Sequence, residues 1–461
     1  MHIDQQSVMT ASRILIAAAG RCAGVLGALA VCVLAGLPAS LSAQVRMTVP
    51  PQAERIALRG ATIHTVTNGV IENGTIVFEA GVITAVGADV EIPAGTRVVD
   101  VTGKHIYPGL IDAYSTVGIA EIGAVDMSND VNEVGDFNPN VHADVAVNAE
   151  SRHIGTSRSQ GVLTTLTTPD GGLISGMSSA MALEGWSWEE MSLESAAALN
   201  INWPDPNPRG RGFGGFGGEN GADRPTYEER VRQLKSYFAE ARAYRDAVAA
   251  GERVRTDARH MAMIPALNRE IPVVVSANGA SQINDAITWA KEENLRLVIR
   301  GGDDAIHVAD RLVAESVPVI LTSTMDAPGR DHEGYDIAYG RAARLHEAGV
   351  KFAISGGSGS LYTDRLPYEA GVAVAFGLPE EEAVKAVTIN AAELMGLDDR
   401  LGSLEPGKQA TLLITTGTPI DTTSDIEQAY IQGRELDMND IQKHFFVKYM
   451  EKVRQRMRII S

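Results

Sequence analysis

The chain has 461 residues, enough for one large domain and a smaller one. Its 44% apolar and 21% charged residues are ordinary for a globular protein and exclude a disordered or fibrous one. A net charge of −18 argues against nucleic acid and anionic membrane surfaces as partners.

The N-terminus reads as an export signal. Arg13 and Arg21 stand before an apolar run from Cys22 to Leu37, and Leu41-Ser42-Ala43 fits cleavage before Gln44. The run is shorter than the roughly 20 residues a membrane span needs, so cleavage is favoured over a retained anchor. Residues 1–43 are therefore expected to be a signal peptide, and the mature protein periplasmic or secreted with no stable membrane span. Cys22 and Cys32 both lie inside that segment. The mature chain would then lack disulfides, thiolate metal sites and cysteine nucleophiles.

Residues 54–105 read as short strands, among them Ile56–Ile63 and Thr75–Glu79, separated by turns at Asn68-Gly69, Asn73-Gly74 and Ala80-Gly81. A Pro-Gly turn at Pro108-Gly109 then feeds the apolar strand Leu110-Ile111. Strict alternation along that strand puts Asp112, Tyr114 and Thr116 on one face.

Across residues 106–403, strand-like runs alternate with helical stretches, which predicts a parallel βα architecture. The strands are Val162–Leu166, Pro272–Val275, Leu295–Ile299, Pro318–Leu321 and Lys351–Ile354; the helices are Ala280–Glu292, Ala305–Glu315 and Glu380–Met395. A low-complexity stretch, Trp203–Gly218, is expected to be a loop. It has too few arginines for an RNA-binding tail. Thr226–Ala250 reads as a long helix with a capping box of Thr226 and Glu229.

Strand patterns return over residues 404–435, in Ala410–Thr415 and in the strand and turn Ile426–Arg434, and are expected to pair with the first β segment as a composite β-sandwich. The last segment, 436–461, carries a basic amphipathic helix, Ile441–Met457, expected to dock on the barrel.

Several stretches carry a family likeness: Tyr107-Pro108-Gly109-Leu110-Ile111-Asp112, Gly161–Thr165, Leu366–Ala375, Ala386–Glu393 and Leu397–Lys408. In their order and spacing the chain resembles the amidohydrolase superfamily, in its imidazolonepropionase-like branch. The resemblance implies an α/β fold: a (β/α)8 TIM-like barrel inserted in a small composite β-sandwich formed by N- and C-terminal segments. It also implies a metal-dependent hydrolase of C–N bonds other than peptide bonds, using Zn. Its ligands would be two histidines after strand 1, one each after strands 5 and 6, and an aspartate after strand 8; the metal would activate a water.

Carried over position by position, those ligands fall on Tyr114 and Thr116, on Ser276, on Gly301 at the histidine-free end of strand 6, and on Gly357. The strand 4 position that would bridge two metals has no evident counterpart. Asp303, Asp304 and Asp326 stand at strand ends and could hold a hard cation, although helix capping is the better account of Asp303 and Asp304. His332 and His142 are single loop histidines that could line a pocket. The loop Gly356–Ser360 could cradle an anion.

Two readings remain. In the first, the chain is an exported, catalytically degenerate homologue that binds a small molecule, forms a homo-oligomer or pairs with an active relative, and needs no cofactor. In the second it is an active amidohydrolase, on a cyclic amide or dipeptide-like substrate, with an altered or metal-free site. Loss of every recognisable ligand position favours the first.

Overall fold

The structure is a computed structural model that describes residues 48–206, 225–357 and 359–460. Residues 1–43, most of the low-complexity stretch and Ser358 lie outside the described residues. Val49–Ser461 is one compact unit.

Both ends of the unit build one sheet. β1 (Ile56–His64), β2 (Val70–Glu79), β3 (Val82–Gly87), β4 (Arg97–Asp100) and β5 (His105–Pro108) come from the N-terminal side. β14 (Leu412–Thr415), β15 (Ile426–Ile431) and β16 (Arg434–Glu435) come from the C-terminal side. They run in the order β16-β15-β14-β5-β1-β2-β3, with β4 beside β1. The composite origin agrees with the sequence pattern, but the strands form one hydrogen-bonded sheet rather than two stacked ones. β1 breaks register around Gly60, whose φ of +90° and whose approach to Thr102 leave no room for a side chain. Leu58, Ile63, Ile76, Phe78, Ile106, Leu412 and Tyr430 point to one side and form this sheet's own core.

The Pro-Gly turn leads from that sheet into the barrel. Gly109 packs where a Cβ would meet Leu163 at 2.7 Å, and its amide donates to the Thr411 carbonyl. The barrel strands follow: β6 (Leu110–Ser115), β7 (Val162–Thr167), β8 (Ile174–Ala182), β9 (Ser192–Asn202), β10 (Val273–Ala277), β11 (Leu297–Gly301), β12 (Val319–Leu321) and β13 (Phe352–Ile354). They neighbour one another in sequence order in an eight-stranded sheet. The third strand departs from the expected pattern, because β8 pairs antiparallel with both β7 and β9. Seven strands are therefore parallel and one reversed.

Side chains join the seam between β13 and β6. Ser355 Oγ donates to the Tyr114 carbonyl at 2.7 Å, and Asp112 Oδ1 accepts from the Gly356 amide at 3.3 Å. Ser115 and Thr363 share a hydroxyl bond of 2.7 Å.

The barrel is filled, not hollow. Ile111, Ala113, Leu166, Ala180, Ala198, Val274, Val298, Ile320 and Ala353 form its apolar interior, closed below by Leu394, Met395 and Leu397. A larger core lies between the strands and the surrounding helices, centred on Trp203, Phe238 and Trp289. Trp203 thus begins the low-complexity stretch as a buried core residue, its indole N–H donating to Tyr227.

The helix Tyr227–Ala249 starts with the expected Thr226–Glu229 capping box, and Ala280–Glu292 is helical throughout. Glu380–Met395 splits at Thr388 into two short helices. The helix Ile441–Ile460 departs most from expectation. Phe445, Phe446, Val447, Tyr449, Met450, Val453 and Met457 are all exposed on it, so its apolar face does not lie on the barrel. No described helix is long and apolar enough to cross a membrane.

Candidate functional site

The strands' carboxyl ends carry the chemistry in barrels of this kind. Two residues beyond the apolar interior, strand alternation places a polar layer: Thr168 above Leu166, Asn200 above Ala198, Ser276 above Val274, Arg300 above Val298 and Ser355 above Ala353. Ser178 joins it from the reversed β8. The Thr168 and Ser178 hydroxyls lie 2.9 Å apart, and Asn200 Nδ2 donates to Ser178 Oγ at 2.6 Å.

Arg300 dominates this layer. It is 5% exposed, and its guanidinium lies over the Tyr114 ring at 4.4 Å from the centroid. A desolvated contact of this kind contributes about 2 kcal/mol. Its Nη2 donates to Asn202 Oδ1 at 3.1 Å and stands 3.9 Å from Asp170 Oδ1, while its Nη1 is buried without a partner. Asn202 Nδ2 in turn donates to Asp170 Oδ1 at 3.0 Å. The Asn200 Oδ1 and Asp112 Oδ2 atoms are also buried without partners. Unpaired buried polar atoms are rare, and each one asks for a ligand or ordered water.

Asp112 lies under this layer at the seam, fully buried. Burial pushes its carboxyl up to about 7, against the pull of Ser355 and of the Tyr114 and Gly356 amides. It does not share a face with Tyr114 as strict alternation predicted. The β6–β7 register breaks between Asp112 and Ser115, and Tyr114 joins Ile111 and Ala113 in the barrel interior.

The positions matched by resemblance are placed as follows. Tyr114 and Thr116 are buried at the end of β6. Ser276, half-buried on β10, pairs across the ladder with Arg300 on one side and Asn202 on the other. Gly301 ends β11 with φ of +95°, where a Cβ would meet Asn278 Oδ1 at 2.0 Å. Gly357 has φ of +128°, and a Cβ there would stand 2.9 Å from Tyr362 Cβ. Tyr114, Ser276 and Arg300 come together.

The remaining candidates fall elsewhere. Asp303 pairs with the buried Arg341 at 3.0 Å. Asp304 does not cap its own turn; it accepts the Ala280 amide, at the start of the helix Ala280–Glu292, and binds Arg330 through both oxygens. Asp326 is exposed, with its charge facing Asp303 and the buried Glu369. His332 is exposed on its loop, and His142 is tied to Ser195 at 3.0 Å. A cleft of about 430 Å³, lined by Arg269, Lys291, Lys351 and Glu393, opens at the opposite end of the barrel, where such folds keep stability rather than chemistry.

Arg300 and Asn202 were not singled out from the sequence, and Asp112 was read only as sharing a face with Tyr114 and Thr116. A charged residue closing the apolar run Leu297-Val298-Ile299 was the available signal for Arg300. The strand order puts Asn202 at the end of β9, the fourth barrel strand, whose bridging position had no evident counterpart in the sequence.

A metal fits this mouth poorly. Zinc takes imidazole, thiolate or carboxylate donors, and the matched positions supply a phenol, two aliphatic hydroxyls and two glycines. A fixed guanidinium beside them adds like-charge repulsion. Among the described residues no group of three or more His, Cys, Asp or Glu is placed to hold a metal ion.

The fold is an eight-stranded α/β barrel joined to a composite β-sheet, and an arginine–tyrosine pair lies at the barrel's strand ends. The comparisons support the amidohydrolase superfamily, in its imidazolonepropionase-like branch. The profile of the Amidohydrolase family matches residues 340–446. The imidazolonepropionase of Geobacillus kaustophilus (strain HTA426) is 26% identical over 385 residues, covering 75% of this chain and 84% of that protein. The imidazolonepropionase of Syntrophobacter fumaroxidans is 39% identical, but over 82 residues that span 17% of this chain and only 19% of that relative. Among solved structures, an amidohydrolase from Thermotoga maritima MSB8 superposes with a TM-score of 0.74 at 26% identity, covering 83% of this chain and 99% of that one.

Proposed function

We propose that this protein is a catalytically degenerate amidohydrolase homologue whose barrel mouth binds a small carboxylate-bearing molecule on Arg300. One observation carries the reading: a guanidinium 5% exposed, stacked on Tyr114, with Nη1 unpaired. Guanidinium binds carboxylate through two parallel N–H donors, and a buried one with a free edge is built for that contact. Asp170, 3.9 Å from Nη2, balances part of the charge without forming a close ion pair. In this reading the protein works in the periplasm or outside the cell, which the signal-like N-terminal sequence supports.

A second reading keeps hydrolysis, by a metal-free route. Asp112 favours it, because a carboxyl titrating near neutral pH is a candidate general base. Asp112 is 0% exposed, however, and spends Oδ1 on two backbone amides. A base must reach the proton it removes, so the binding reading is preferred.

Calorimetric titration with a panel of N-acyl amino acids and dicarboxylates tests this. At least one should bind, and Arg300→Met should weaken it by about 10- to 100-fold, the worth of one charged hydrogen-bonded contact. Turnover of any of these N-acyl compounds, or binding unchanged in the variant, would overturn the reading.

A further inference from the structure

The helix Ile441–Ile460 is a feature the barrel does not explain. Twenty residues rise about 30 Å, and in proteins most of a helix's stability comes from packing its amphipathic face. Phe445, Phe446, Tyr449, Met450, Val453 and Met457 lie on one side of it and are 38–67% exposed. The helix carries six lysines and arginines against one carboxylate, Glu451, in a chain whose net charge is −18.

The same chain displays a surface of opposite character. Between β6 and the helix Arg152–Ser159, the segment 119–136 exposes Ile122, Val125, Met127 and Val134, interleaved with the exposed carboxylates Asp126, Asp130 and Glu133. The two surfaces adjoin one element. The C-terminal helix packs its start against Arg152–Ser159, and His153 of that helix holds the Glu121 carbonyl at 3.0 Å.

We propose that this protein is a two-fold dimer in which the C-terminal helix of each copy lies on the acidic, apolar segment 119–136 of the other. Apolar meets apolar, and the cations that flank the apolar face meet carboxylates. Because helix root and acidic segment flank the same helix, one two-fold axis beside it satisfies both contacts at once, an isologous interface. Two helix faces about 30 Å long suffice for an interface of standard size, about 1,600 Å². An anionic membrane, the other surface that suits a basic amphipathic helix, would repel the acidic body behind it. The dimer also reaches the barrel mouth, since the Val131 carbonyl accepts from the amide of Asp170, whose carboxylate stands beside Arg300.

Analytical ultracentrifugation of the whole purified chain at micromolar concentration and moderate salt tests the proposal. The parent should sediment as a dimer that dissociates as salt rises. Phe446→Glu with Val453→Glu should give a folded monomer that still unfolds cooperatively, since the helix lies outside the core. Neutralising Asp126, Asp130 and Glu133 to Asn, Asn and Gln should weaken the dimer at least tenfold. A parent that stays monomeric, or a dimer indifferent to both variant sets, overturns the proposal. So does a monomer that instead floats with phosphatidylglycerol vesicles.

Discussion

Asp112→Asn should make the protein more stable than its parent, and increasingly so as pH rises. Burial moves this carboxyl from its ordinary 3.8 to about 7 in the folded chain. Below about pH 4 the acid is neutral in both states and contributes no difference. Between about pH 4 and 7 it ionises in the unfolded chain while staying protonated in the fold, so each pH unit removes about 1.4 kcal/mol of stability. Above pH 7 the loss levels off, at about 4 kcal/mol. Asparagine keeps the Oδ1 that accepts the Tyr114 and Gly356 amides, puts an amide where Oδ2 has no partner, and does not titrate. The two proteins should therefore be close at pH 4 and differ by about 4 kcal/mol at pH 8. Urea unfolding of both proteins from pH 4 to 8 measures this. Parallel stability curves would show that Asp112 is already ionised in the fold, and would refute the reasoning.

Two further substitutions probe the scaffold. Gly357→Asp restores the family's carboxylate in the sequence, yet its φ of +128° and the Tyr362 side chain oppose it. It should cost about 1–3 kcal/mol in urea unfolding and recover no metal binding in equilibrium dialysis. Glu184→Gln should cost about 3–5 kcal/mol in the same unfolding assay, because Arg158, with its side chain 1% exposed, would lose its buried counter-charge.

The fold was largely legible because its signals are local. The apolar runs around Val274, Val298, Ile320 and Ala353 and the capping box at Thr226 are each written within a few residues. The reversed strand β8 was not, since Ile174–Ala182 is mostly small and hydroxylic and buried on both faces, so neither alternation nor an apolar run marks it. The seam at Asp112 escaped for a related reason: a register break cancels the period-two rule on which the face of Tyr114 was predicted. Family positions led to Tyr114 and Ser276 but not to Arg300, one residue before Gly301, whose importance comes from tertiary burial. Amphipathicity in Ile441–Ile460 signalled a face to be covered, without saying by what.

An arginine–tyrosine pair standing in for a hydrolytic metal centre is the heart of the proposed function. Metal content of the purified protein, expressed with added Zn²⁺ and followed with amide hydrolysis before and after chelation, tests it most directly. No stoichiometric metal and no chelator-sensitive turnover are expected. One zinc per chain, with hydrolysis lost on chelation and restored by zinc, would contradict it.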